Sequence, residues 1–139
     1  MGRVIATVRV INHDDEVLAK RGVIPANKVR QVEVEALVDN GVTMVALPEE
    51  MANQLGLETV REVTTRYGNN TKARKRVVGP AHLEIAGRDT YCDVLVESPG
   101  TRPLIGQIVL EELDLLVDPK KQALVPNPES PDMPLIEVL

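Results

Sequence analysis

Gln31-Val32-Glu33-Val34-Glu35-Ala36-Leu37-Val38 runs without a break into Asp39-Asn40-Gly41, and Val42-Thr43-Met44-Val45-Ala46-Leu47-Pro48 follows at once. In the first eight residues, Val32, Val34, Ala36 and Val38 share one side of an extended chain, while Glu33 and Glu35 take the other. That period of two marks a half-buried strand. Val42 to Leu47 reads as a second, short apolar strand. The three residues between the strands admit two readings. Asn-Gly is the strongest short-range signal for a type I′ hairpin turn, and Asp before it is common. The other reading is an aspartate at the end of a buried strand, where glycine turns the chain and leaves the carboxylate exposed.

Working outward, Pro48 suits a first helical position, and Glu49 and Glu50 suit the positive end of a helix. Met51 and Leu55 lie one turn apart with Gly56 just beyond, so the spacing predicts a helix over 48–55. Upstream, Val4, Ala6, Val8 and Val10 alternate with Arg3, Thr7 and Arg9, which predicts a strand over 3–11. Residues 12–29 are polar and broken by Gly22 and Pro25; they read as a long connection with room for a helical turn. Downstream, 59–66 and 71–78 read as a hairpin around Tyr67-Gly68-Asn69-Asn70, and 80–86 and 90–97 as a second one around Gly87-Arg88. Leu104-Ile105-Gly106 precedes a helix over 107–113, and short strands at 115–117 and 122–125 flank Asp118-Pro119. From Pro126 on, four of the ten prolines predict an extended tail, with Leu135 to Leu139 as a candidate final edge strand. The pattern is all-β with two short helices: one domain over 1–126 and a tail over 127–139.

Composition agrees with that architecture. The chain has 139 residues and 15.2 kDa, one domain's worth, of which 43% are hydrophobic and 27% charged. It holds 21 Val, 15 Leu and 7 Ile, no Phe or Trp, and only Tyr67 and Tyr91. Valine and isoleucine favour pleated surfaces, and the shortage of aromatics argues against nucleic-acid platforms that stack bases. Cys92 stands alone, so neither an internal disulfide nor a cysteine-based zinc site is available. No apolar run approaches the ~20 residues of a membrane helix. The first eleven residues lack a cleavage pattern, and Gly2 is followed by Ala6 where a myristoylation motif needs Ser or Thr. A soluble, reduced, cytoplasmic protein is expected. The net charge of −5 hides a local +5 over residues 61–88, fed mainly by Lys72, Arg74, Lys75 and Arg76. A solvated hairpin is the plain reading of it; an acidic partner is a weaker one, and nucleic acid is not expected. His13 and His82 with Cys92 have no metal-ligand spacing, and Ser98 and Ser130 precede prolines without a nucleophile elbow. No Gly-rich phosphate loop is present. Asp14, Asp15, Asp89, Asp93 and Asp118 read as turn formers.

Two blocks stand out together. Ala36-Leu37-Val38-Asp39-Asn40-Gly41-Val42-Thr43 leads to Leu47-Pro48-Glu49 and then Leu55-Gly56-Leu57. Some sixty-five residues after Asp39, Leu104-Ile105-Gly106 leads to Leu113-Asp114-Leu115 and Val117-Asp118-Pro119. In order and spacing these resemble the retropepsin-like (clan AA) aspartic proteases of prokaryotes, over roughly residues 3–126. The family motif reads Asp-Thr/Ser-Gly-Ala, Leu-Pro, helix, Leu-Gly-Leu, then Leu-Leu-Gly, helix, Leu-Glu and a strand with Asp-Pro. Asn40 stands here where the family has Thr or Ser, and Val42 where it has Ala.

The resemblance implies a small closed barrel that homodimerises, with Asp39 of each subunit forming the catalytic pair. Asn40, Gly41, Leu104, Ile105 and Gly106 would support that pair. Val42 and Thr43, with a flap tip at Tyr67, Gly68 and Asn69, would meet an extended peptide. Chemistry independently asks for two copies: paired carboxylates about 3 Å apart share one proton, and a lone Asp39 cannot be both base and acid. No second Asp-X-Gly occurs in the chain. Neither metal nor cofactor is expected; the expected partners are a second copy and a peptide or protein substrate, with no membrane. The alternative reading is a weakly active or inactive dimeric module that keeps the barrel and binds peptides, and Asn40 and Val42 are its support.

Overall fold

The computed structural model describes residues 3–139; Gly2, the position of the lipidation motif, lies outside them. Strand β1 (Ile5–Asn12) pairs antiparallel with β2 (Gln31–Val38), from Ile5 opposite Leu37 to Ile11 opposite Gln31. The alternation falls as the sequence predicts: Ala6, Val8, Val10, Val34 and Ala36 are buried, and Glu33 and Glu35 face water.

The segment between β1 and β2, read as a connection, contains a full helix, α1 (His13–Lys20), and a 3-10 turn at Ala26–Lys28. The described residues therefore hold three α-helices where two helices were expected. The signals for α1 are local. Asn12 caps it by accepting the Asp15 N–H at 3.0 Å, and Asp14, Asp15 and Glu16 occupy its positive first turn. A buried Asp15 then pairs with Arg30, Nε to Oδ2 at 2.8 Å, which ties the helix to the start of β2.

β3 (Val45–Pro48) leads into α2 (Glu49–Leu55), closed by Gly56 with φ +66°. β4 (Glu58–Arg66) and β5 (Lys72–Ile85) form the first hairpin. The strands expected at 71–78 and 80–86 are one strand, because β5 continues past Gly79-Pro80 with a register shift against β6 (Arg88–Glu97) between Val78 and Ala81. Gly79 permits it: a Cβ there would stand 2.3 Å from Asp93 Oδ1 on β6. β7 (Leu104–Ile105), α3 (Gln107–Leu113), β8 (Leu115–Asp118) and β9 (Ala123–Pro126) complete the order.

Seven strands make one sheet in the order β1-β2-β7-β3-β6-β5-β4, and β5 also pairs with β1 over Ala81–Ile85. The sheet curls around a core led by Leu47, Leu55, Leu83, Ile85, Ile105 and Leu113. The expected closed barrel is not formed. The link through β7 is two residues against β2 and a single pair with β3, and β4 is left as a free edge. β8 and β9 form a separate two-stranded sheet. Leu135 to Leu139, expected as an edge strand, has no strand partner among the described residues and lies exposed. Among the described residues no helix is long and apolar enough to cross a membrane.

Candidate active site

The stretch at Asp39 is not a hairpin turn. β2 and β3 do not pair with each other; β7 lies between them, parallel to β2 and antiparallel to β3. Neither Asn40 nor Gly41 is among the positive-φ residues, and a type I′ turn requires both to be. The loop closes in two other ways. The Val42 N–H donates to the Asp39 carbonyl at 3.1 Å, and the Gly41 N–H donates to Asp39 Oδ1 at 2.9 Å.

Leu104-Ile105-Gly106 holds this loop from behind. Leu37 and Val38 sit opposite Leu104 and Ile105, and the Asp39 N–H donates to the Ile105 carbonyl at 3.0 Å. Gly106 then lies so close to residues 42–44 that a Cβ would fall 2.5 Å from the carbonyl oxygens of Val42 and Met44. The first N–H groups of α3 are spent on the same loop. Gln107 donates to Val42 O at 2.8 Å and Ile108 to Thr43 O at 3.2 Å. A helix start leaves such donors without intrahelical partners, so the loop carbonyls cap α3 while α3 fixes the loop. Hence the two sequence blocks, far apart along the chain, form one unit. Its backbone is pinned, and the Asp39 carboxylate is half-exposed with Asn40 and Gly41 open to solvent.

A cleft of about 980 Å³ opens beside the unit, lined in part by Val38, Asn40, Gln107, Leu110, Leu115 and Ile136. Among the sequence-derived candidates, Asn40 faces this cleft, while Val42 is half-buried and Thr43 exposed in the loop itself.

The tip residues Tyr67, Gly68 and Asn69 are held elsewhere. The Tyr67 N–H donates to Thr71 O at 2.9 Å, and Asn69 Oδ1 accepts from the Thr71 N–H at 3.1 Å and its hydroxyl at 2.6 Å. The positive φ of this turn falls on Asn70, at +66°, rather than on Gly68. Tyr67 Oη donates to Glu97 Oε1 at 2.9 Å, and Lys75 Nζ reaches the same oxygen at 3.3 Å and Ser98 Oγ at 3.2 Å. Burial would lower the Lys75 pKa, but Glu97 and Tyr67 outweigh it and hold it above the ordinary lysine value. Among the described residues the tip is thus tied to the end of β6, with no hydrogen bond to the Asp39 loop.

Sequence reasoning missed Gln107, Glu97 and Lys75. Gln107 acts through its backbone, which no side-chain pattern reveals; Lys75 and Glu97 meet only because β5 and β6 are neighbours. It also missed a polar cluster: His82 Nδ1 meets Glu16, His82 Nε2 meets Asp89 at 2.6 Å, and His13 Nδ1 meets Glu16 at 3.0 Å. No group of three metal-ligating side chains is arranged to hold a metal ion among the described residues. Burial, with Glu112 and Asp93 adding, pushes the Cys92 thiol up to about 12, so it is not poised as a nucleophile.

Residues 26–112 match the family model described as "gag-polyprotein putative aspartyl protease". Comparison with curated proteins gave no match.

Proposed function

The chain belongs to the retropepsin-like aspartyl protease family, and on that premise we propose that it is a homodimeric aspartic endopeptidase. One observation carries the reading: Asp39 is fixed through its backbone to Ile105, while its carboxylate accepts only the Gly41 N–H among the described residues and stays half-exposed. A group held in position yet left free to react is what a catalytic carboxylate requires.

In the proposed reaction Asp39 faces Asp39 of the partner subunit across a two-fold axis, and the pair shares one proton. The ionised carboxylate takes a proton from water, whose oxygen attacks the scissile carbonyl carbon. The protonated one gives its proton to the carbonyl oxygen. As the C–N bond breaks, the first Asp39 gives the proton it took from water to the amine nitrogen, and the second accepts a proton from a hydroxyl of the resulting diol, so the pair again holds one proton. Val42 and Thr43 border the bound peptide, and Tyr67, Gly68 and Asn69 form the tip that closes over it once the Tyr67–Glu97 hydrogen bond is released. The protein works in the cytoplasm, where its lone Cys92 stays reduced.

Asn40 and Val42 favour a second reading, a dimeric peptide-binding module without turnover. Digestion of a peptide library between pH 4 and 7 separates the two. The protease reading expects cleavage that is strongest in mild acid, survives a chelator, is lost in Asp39→Asn, and rises in Asn40→Thr. Peptide binding without turnover in every form would establish the second reading.

A further inference from the structure

The first hairpin presents two features that the protease reading does not use. β4 is an edge strand: it pairs with β5 on one side and with nothing on the other among the described residues. Its hydrogen-bond phase follows from the tip. Tyr67 donates to Thr71, so alternation directs Thr65 and Val63 toward β5 and leaves the N–H and C=O groups of Glu62, Thr64 and Arg66 pointing outward. Beyond the bulge between Thr59 and Arg61 the edge is regular to its end.

The second feature is charge. Arg66 sits opposite Lys72, Thr64 opposite Arg74, and Glu62 opposite Arg76, so four cations and one carboxylate share a face of the ribbon. Arg66, Lys72 and Arg74 are exposed, and none makes an ion pair or a side-chain hydrogen bond among the described residues. Edge strands usually carry scattered charge that repels strand addition. Here cations outnumber carboxylates four to one beside the open backbone groups, and that net positive charge repels a basic strand and attracts an acidic one. Outside residues 61–88 the chain itself carries −10, so like cations are not gathered here by general composition.

We propose that the free edge of β4 from Glu62 to Arg66 is a docking strand for an extended peptide segment bearing acidic residues at alternate positions. An added strand hydrogen-bonds to Glu62, Thr64 and Arg66, and every second side chain of it falls on the cationic face. Nucleic acid fits less well. It offers no strand to satisfy the edge, and Tyr67 falls by alternation on the opposite side of the ribbon from Arg66, tied to Glu97, which leaves the cationic face without a stacking aromatic among the described residues. The edge belongs to the hairpin whose tip the protease reading places over its peptide, but docking here is read by binding and not by cleavage, so its failure and the failure of that reading are distinguishable.

The test uses the full chain carrying Asp39→Asn, so that no peptide is consumed. Fluorescence anisotropy follows a labelled ten-residue peptide with Glu at alternate positions, against a peptide of the same composition with its Glu residues in one block. The alternating peptide is expected to bind at least tenfold more tightly, with affinity falling as salt rises. Arg66→Glu with Arg74→Glu should weaken it at least tenfold. Thr64→Pro removes an outward N–H without touching the β5 ladder and should also abolish tight binding, whereas Thr64→Ala should not. Hydrogen exchange at Glu62, Thr64 and Arg66 should slow on binding, and this readout decides the matter if Thr64→Pro fails to fold. Equal affinity for the two peptides, or no protection at those amides, overturns the proposal. Tighter binding of a single-stranded oligonucleotide that is indifferent to Thr64→Pro assigns the face to nucleic acid instead.

Discussion

At the scale of single residues, Gly106 is constrained by position rather than by conformation. Its φ is an ordinary extended value of −95°, so any residue could adopt the backbone, but Val42, Thr43 and Met44 leave no room for a Cβ. The obstacles are backbone atoms, which cannot rotate away. Gly106→Ala is expected to cost about 1–3 kcal/mol of stability, as overpacking does, and to displace the Asp39 loop; a urea midpoint and the rate of peptide cleavage check the two parts. His82 illustrates a different constraint. Burial would lower its pKa, but hydrogen bonds and charges from Glu16 on α1 and Asp89 on β6 hold it above the ordinary imidazole value. His13 also faces Glu16, and the Tyr91 ring stacks on His82 at 4.4 Å. For Glu16, burial would raise the pKa, but His13 and His82 hold it below the ordinary value. A raised His contributes stability that is complete below its unfolded pKa and lost as pH climbs through the folded one. A lowered Glu contributes stability lost as pH falls through its own. The docking of α1 should therefore be firmest between about pH 4.5 and 6.5. The thermal midpoint should fall between pH 6 and 8 more in the native chain than in His82→Gln.

At the scale of elements, the first hairpin is a long lever held at its tip. Its far end is bound to β6 through Tyr67, Glu97 and Lys75, and its near end merges into the core through Val77 and Val78. Tyr67→Phe should leave the core intact and release the tip. A loss of about 0.5–1.5 kcal/mol is expected for one such hydrogen bond. Amide exchange should speed up at Gly68 to Thr71 but not in β6. The tail is likewise held by a point rather than by a ladder. Arg88 is buried and donates to the carbonyls of Leu113 and Asp114, each at 2.9 Å, and to that of Ser130. The Asp114 carboxylate accepts from Asn127 Nδ2 and the Leu135 N–H, each at 3.1 Å, and from Ser130 Oγ. Those bonds hold the Asp114 carboxyl below the usual carboxylate range, the one from Ser130 most. Arg88→Met strands buried carbonyls and should cost about 1–3 kcal/mol, with faster proteolytic clipping after Asn127 as the visible sign.

At the scale of the whole molecule, an uncovered apolar surface supports the proposed dimer. Leu116 and Val117 on β8, and Leu135, Ile136, Val138 and Leu139 in the tail, are all large hydrophobics left exposed. Several of them border the cleft beside Asn40. Exposed apolar groups gathered in this way mark interaction sites more often than free surface. Sedimentation at micromolar concentration is expected to give about twice 15.2 kDa, and Asn40→Thr should dimerise at least as tightly. A monomer at that concentration would remove the shared dyad.

The strands β1 and β2, α2 with its Gly56 cap, and α3 over Gln107–Leu113 were legible because each is written in a local period or a terminal signal. So was the pairing of the Asp39 block with Leu104-Ile105-Gly106, though as a resemblance rather than a contact. α1 was legible in principle through Asn12 and its acidic first turn; the polar run around it masked the signal. What the tertiary structure alone decided lies where distant segments meet. Whether Asn40-Gly41 makes a hairpin depends on β7 entering between β2 and β3, and no short-range preference carries that information. The continuity of β5 through Gly79-Pro80 depends on the room left by Asp93. The attachment of the tail at Asp114 rather than in a strand depends on Arg88, more than twenty residues away. Local periodicity fixes which way a side chain points, because it follows from the geometry of consecutive bonds. Which segment it meets is set by packing free energy summed over the molecule, and that sum cannot be read in sequence order.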